Sequence, residues 1–223
     1  MGSVRDAVWH AIQSVPEGVW RSYTWLGDSG LLLPAAALIA LWLLSSRRTW
    51  PAAGLWILIF GSASMLVLLS KLAFMGWGIG SARLNFTGIS GHTMLAAAVW
   101  PVALWLMAAR GSHRLRVGLA LGGWFLAAGI GISRLGIYAH SWSEVTSGFV
   151  LGVAASATFL ALQRRVAHPS MRGSLVLVTL LLPLLQQQPG QAAPTHDLLE
   201  RVAMRLAGVE RPFTREDLHA QSG

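Results

Sequence analysis

From Gly30 onward the chain alternates long apolar runs with short polar interruptions. The runs cover 30–46, 51–74, 92–109, 116–133, 143–163 and 173–188. A helix needs roughly 20 apolar residues to cross the hydrocarbon core of a bilayer, with about 17–25 tolerated. The first and last runs are short, and the last holds Pro183. Helix is the expected form, because in lipid each backbone polar group has to be satisfied within its own segment. The predicted fold is therefore all-α: a polytopic transmembrane helix bundle with five or six spans over 30–188. Gly148, Gly152, Ala155 and Ser156 supply small side chains for close helix packing.

The two ends of the chain read differently. Residues 1–29 mix Trp9, Trp20 and Trp25 with Arg5, Asp6, Glu17, Arg21 and Asp28. They lack the apolar core and small-residue cleavage site of a secretory signal. They read as an N-terminal interfacial helix or loop, with Asp28 and Ser29 placed to cap the next helix. The C-terminal tail, 189–223, opens with Gln, Pro and Gly. Leu198, Leu199, Val202, Leu206 and Val209 then recur at helical spacing, with Glu200, Arg201 and Arg205 between them. That pattern predicts a short amphipathic helix, interfacial or packed on the bundle.

Composition narrows the class. The 223 residues are 54% hydrophobic and only 12% charged, whereas a soluble domain carries about a quarter charged residues. Disorder is excluded for most of the chain, and the composition speaks against an ordinary soluble domain. With no cysteine, disulfides, thiolate metal sites and cysteine nucleophiles are excluded too. The formal net charge of +8 does not indicate nucleic acid, because the arginines sit between apolar runs and so report topology. Arg47 and Arg48, then Arg110, Arg114 and Arg116, then Arg164, Arg165 and Arg172 occupy alternate loops; the other two loops hold only Arg83 and Arg134. The arginine-rich side is expected to be cytoplasmic. The N-terminus and loops 75–91 and 134–142 then face outward, which is the periplasm if the chain lies in a bacterial inner membrane.

Lys71 is the sole lysine, and Glu144 is the sole acid between Ser29 and His196. Ionisable groups inside a bilayer are costly and tend to be functional. On the outward side, Lys71 ends the second run, Ser90-Gly91-His92 opens the third, Ser133-Arg134 ends the fourth, and His140 and Glu144 open the fifth. His140 and Glu144 are four apart, so one helix would place them on one face. A carboxylate bonded to one imidazole nitrogen fixes the tautomer and leaves the other nitrogen free to attack. A helix start at Ser90-Gly91 offers backbone amides to an anion. Lys71 and Arg134 add positive charge, and His92 is a second imidazole able to pass a proton to a departing alkoxide. These are the parts needed for phosphoryl transfer through a phosphohistidine.

Taken together, Lys71, Ser90-Gly91-His92 and Ser133-Arg134-x5-His140-x3-Glu144 resemble the type 2 phosphatidic acid phosphatase superfamily. Its pattern is a lysine followed by Arg-Pro, then Pro-Ser-Gly-His, then Ser-Arg-x5-His-x3-Asp. The resemblance covers about residues 28–160. It implies an integral membrane, metal-independent lipid phosphatase without a cofactor, its site on the outer face and a membrane lipid phosphate as substrate. It also implies His140 as nucleophile, Glu144 as the residue orienting it, and His92 as the acid that protonates the leaving group. Lys71, Ser90, Gly91 and Arg134 match the phosphate binders. The chain departs from the pattern at three points. Gly78 and Ile79 stand where Arg-Pro is expected, with Arg83 a candidate replacement. Ile89 replaces the proline before Ser90, and Glu144 replaces aspartate.

Each residue alone has a plainer explanation. Lys71 fits a snorkelling lysine, Glu144 an ion-pair partner for Arg134, Ser90-Gly91 a helix cap, and either histidine a polar packing residue. Only their joint arrangement favours chemistry. Trp77 and Trp142 sit near the proposed site. His10, His113, His168, His196 and His219 lie in the termini or on the arginine-rich side and have no assigned role. A lipid-to-lipid phosphotransferase and a non-catalytic lipid-phosphate-binding protein are the alternative readings. Nothing in the sequence sets the oligomeric state.

Overall fold

The computed structural model describes residues 4–109, 111–163 and 195–220. These form nine helices: α1 Val4–Gln13, α2 Glu17–Thr24, α3 Ser29–Leu44, α4 Trp50–Trp77, α5 Gly91–Met107, α6 His113–Gly136, α7 Trp142–Leu162, α8 Thr195–Ala207 and α9 Arg215–Ala220. The only β pairing among the described residues is one isolated bridge, Ser81 to Phe86. The fold is the expected all-α membrane bundle. Helical runs Glu17–Leu44, Arg47–Trp77, His113–Gly136 and Trp142–Leu162 are long and apolar enough to cross a bilayer. α5 is a fifth, shorter apolar helix of 17 residues, about 25 Å at the helical rise. The sixth expected segment, 173–188, lies outside the described residues.

α5 is the centre of the bundle. From Thr93 to Ala103 every residue is buried, since α3, α4, α6 and α7 all pack on it. In lipid, close packing rather than exclusion of water joins helices, and small residues let backbones approach. A Cβ at Gly123 of α6 would lie 2.6 Å from the backbone nitrogen of Pro101, and one at Gly148 of α7 would lie 2.5 Å from the carbonyl of Ser90. A Cβ at Gly152 would collide with the carbonyl of Met94. Three indoles tie neighbouring segments together by hydrogen bonds, while the buried indole nitrogens of Trp25, Trp42 and Trp105 have no partner among the described residues. Trp56 donates to the Ala36 carbonyl, Trp100 to the Leu26 carbonyl and Trp124 to Ser156 Oγ, each at 3.0 Å.

The ends of the chain are built into this body. Trp20 and Tyr23 of α2 press on Gly136 and Gly129 of α6, so the N-terminal segment packs beside the bundle. Residues Trp25–Gly27 form a 3₁₀ turn, after which Asp28 caps α3 by accepting from the Gly30 amide at 2.7 Å. Such a cap contributes about 1 kcal/mol. The expected amphipathic tail helix is α8. It packs on the last turns of α4, where Leu72, Phe74, Met75, Ala203 and Leu218 form one buried cluster. Phe213 then donates its amide to the Met75 carbonyl at 2.9 Å and leads into α9.

Candidate active site

The end of α4, the start of α5, the end of α6 and the start of α7 meet at one end of the bundle, tied by hydrogen bonds from the intervening loops. The Ile89 amide donates to Ser70 Oγ at 3.1 Å, and the stem of Lys71 packs against Gly88. The Ser90 amide donates to the Glu144 carbonyl at 3.1 Å. α6 stops at a turn where Tyr138 takes a left-handed conformation, φ 55°. There the amides of Ala139 and His140 both donate to the Arg134 carbonyl, at 3.1 and 3.2 Å. A left-handed residue just past a helix end lets later amides satisfy the last carbonyls. This turn swings His140 back beneath Arg134.

Glu144 is wholly buried and is the most heavily bonded side chain of the site. Ser141 and Glu144 form a capping box at the start of α7: the Ser141 amide donates to Glu144 Oε2 at 3.0 Å. His140 Nδ1 meets the same oxygen at 2.7 Å. Oε1 accepts from the Thr87 amide and from Thr87 Oγ1, both at 2.7 Å. An ionised carboxylate only accepts, so Nδ1 carries the ring proton and Nε2 keeps its lone pair. Burial pushes the His140 pKa down, the Glu144 bond opposes this, and the Arg134 and Lys71 cations add to the lowering. The result is about 4, so the ring is neutral at physiological pH.

The second imidazole has its own carboxylate. His92 Nε2 lies 3.5 Å from Asp28 Oδ2, while Asp28 Oδ1 holds the α3 cap. Sequence reading recognised Asp28 only as a cap. The 3₁₀ turn wedges it inward: a Cβ at Gly27 would lie 3.2 Å from the His92 carbonyl. Arg134 donates from Nη1 to Thr24 Oγ1 at 3.1 Å, and its buried Nε has no partner among the described residues. An unsatisfied buried donor is expensive.

Not every candidate takes the expected posture. The Ser90 hydroxyl is fully buried and shares a 2.9 Å hydrogen bond with Thr93 Oγ1, leaving the first amides of α5, which have no intrahelical partner, as that turn's candidate donors. Ser133 is also buried and bonds back to the Ile130 carbonyl at 2.7 Å. Arg83 is exposed on the 78–90 hairpin and makes no hydrogen bond or ion pair among the described residues, so nothing draws it toward the place of the missing Arg-Pro. Glu144 pairs with Arg215, at 2.9 Å, and not with Arg134 as the plainer reading had it. Trp77 and Trp142 are exposed at this end. Among the described residues no group of three or more His, Cys, Asp or Glu is placed to hold a metal ion.

The sequence model of the PAP2 superfamily matches residues 74–167. An uncharacterized 22.5 kDa protein in the cps region of Klebsiella pneumoniae is 45% identical over 208 residues, covering 91% of this chain and 99% of that protein. Phosphatidylglycerophosphatase B of Bacillus subtilis (strain 168) is 30% identical over 148 residues, 60% of this chain and 69% of that enzyme. No solved structure matches the chain.

Proposed function

The chain belongs to the PAP2 superfamily, and on that premise we propose that it is a membrane phosphatase hydrolysing a lipid phosphate or pyrophosphate through a phosphohistidine. The observation that carries the reading is the 2.7 Å bond between His140 Nδ1 and Glu144. It leaves Nε2 as the one uncommitted nucleophilic nitrogen of a neutral ring.

In the first half-reaction His140 Nε2 attacks phosphorus and forms the N–P bond while the P–O bond to the lipid breaks. His92 supplies the proton that the lipid alkoxide needs, and Asp28 at 3.5 Å stands beside the imidazolium that donates it. Arg134, Lys71 and the leading amides of α5 hold the non-bridging oxygens, where negative charge builds up in the transition state. In the second half-reaction water gives a proton to His92 and attacks phosphorus. The N–P bond breaks, and inorganic phosphate leaves. The apolar chain of the lipid stays beside the helices. Phosphatidylglycerol phosphate heads the candidate substrates because of the Bacillus relative's name; phosphatidic acid and an undecaprenyl phosphate or pyrophosphate follow.

The test is phosphate release by the detergent-purified protein, with EDTA present, from these lipids. Wild type is expected to turn over at least one of them and His140→Ala none. Lipid-to-lipid transfer in place of release would make it a phosphotransferase, and binding without turnover a lipid-phosphate-binding protein. Positive charge on the opposite face, at Arg47, Arg48, Arg114 and Arg116, supports a site facing outward. Since the chain has no native cysteine, Arg83→Cys on the exposed hairpin should react with an impermeant maleimide in intact cells. Reaction only after lysis would reverse the orientation.

A further inference from the structure

The tail brings a cation to the relay. Arg215, the first residue of α9, reaches Glu144 with Nη2, at 2.9 Å from Oε1 and 3.0 Å from Oε2. The same nitrogen lies 3.3 Å from Thr87 Oγ1. Nη1 donates to the Asn85 carbonyl and to Asn85 Oδ1, both at 2.8 Å. Asn85 sits in a left-handed turn, φ 50°, which aims both of its oxygens at this one nitrogen. The guanidinium thus bridges the 78–90 hairpin and the buried carboxylate beneath His140. It is only one-third exposed, and Glu144 not at all.

We propose that Arg215 is a positioning residue for the nucleophile: it clamps the Glu144 carboxylate in the orientation that holds His140, so the C-terminal tail completes the reaction centre. Its place is argued from the carboxylate's needs. Glu144 carries a full charge on a side chain with no exposed surface, and breaking a buried pair leaves an uncompensated charge. Lys71 and Arg134 are the other cations around His140, and both are required by the phosphoryl group. A forked guanidinium can hold both carboxylate oxygens and the hairpin at once, which a lysine's point charge cannot. The glutamate found where the family has aspartate fits this arrangement. Its longer arm reaches Oε1 out to Thr87 and Arg215 while Oε2 stays on His140. Arg215 touches no reacting atom, so its effect passes through Glu144 and His140.

This proposal rests on the phosphatase reading, and two measurements separate them. With wild-type turnover established, Arg215→Ala is expected to lower kcat by roughly 10- to 100-fold with KM within about twofold, and Arg215→Lys to restore only part. Arg211→Ala is the structural control. It removes the bidentate pair with Asp217, at 2.7 and 2.8 Å, that ties the loop to α9, and it should leave kcat within about twofold. The second readout needs no turnover: the His140 imidazole titration by NMR in detergent micelles, assigned with His140→Gln. The groups facing this ring are Glu144, Arg134, Lys71 and, through Glu144, Arg215. Removing Arg215 frees more of the carboxylate's charge for the imidazolium, so the His140 titration should move up by about one pH unit. Unchanged kcat together with an unchanged titration would overturn the proposal whatever the wild type hydrolyses. A change in KM alone would overturn it too, making Arg215 a substrate-binding residue. A wild type that releases no phosphate, with the titration shift present, would sink only the phosphatase reading.

Discussion

Two imidazole–carboxylate pairs sit at the same end of the bundle and are built differently. His140 and Glu144 share one helix start, bond at 2.7 Å, and use a carboxylate fixed by the Thr87, Ser141 and Arg215 donors. His92 and Asp28 come from α5 and the α3 cap, lie 3.5 Å apart, and share the carboxylate with a helix cap. The first ring is locked and the second has slack. That difference suits the proposed roles. A nucleophile gains from a fixed line of attack. A proton carrier has to serve the lipid oxygen in one half-reaction and a water in the next.

The comparison can be broken by mutation. The largest expected effect is at the locked pair: His140→Ala should bring phosphate release to background, on every substrate. His92→Ala should cost about 10²- to 10⁴-fold on a lipid phosphate, and far less on p-nitrophenyl phosphate, whose leaving group departs without a proton. An equal loss on both substrates would make His92 something other than the acid. Glu144→Ala should cost about 10²- to 10³-fold, and Glu144→Asp about tenfold, because the shorter arm cannot hold both His140 and the Thr87–Arg215 anchor. Asp28→Asn keeps a good helix cap and removes only the charge, so kcat should fall several-fold, to about a tenth, with Tm held. A matching fall in Tm would mean that Asp28 serves the fold alone. The smallest effect is in the pH profile. Attack needs neutral His140, whose pKa is lowered to about 4. The acid limb of kcat/KM should therefore stay flat as pH falls through 6.5 and drop only near 4. A fall near 6.5 that stays in place when the substrate's own phosphate ionisation, at about 6, is corrected for would mean that the ring is not shielded as described.

How much of this could be read in the sequence follows from the range of the interactions. The spans were legible, because hydropathy and helical length are local properties. α4, α5, α6 and α7 begin and end within about three residues of the expected runs. The His140–Glu144 contact was legible too, since i,i+4 spacing on a helix start leaves little choice. The Asp28 contact was half legible. Its capping role is written in its neighbours, but the wedge at Gly27 that turns its other oxygen toward His92 depends on the packing of α5 and α6. Arg215 was not legible: it meets Glu144 across 71 residues of chain, and no periodicity marks it. One signal was present. A lone carboxylate in the apolar body required a cation, and the two nearest in the motif already had another task.

The glycines of α7 carry a last consequence. With Gly148 against Ser90 and Gly152 against Met94, the seam between α5 and α7 is sealed by main chain on main chain, leaving no lateral doorway there. Under the proposed function, a long-tailed substrate would have to enter along another seam of the bundle, its hydrocarbon trailing in the leaflet while only the headgroup enters. Widening either glycine to valine should therefore wedge the two rods apart and shift the phosphate cradle relative to its nucleophile, without touching a single group that reacts.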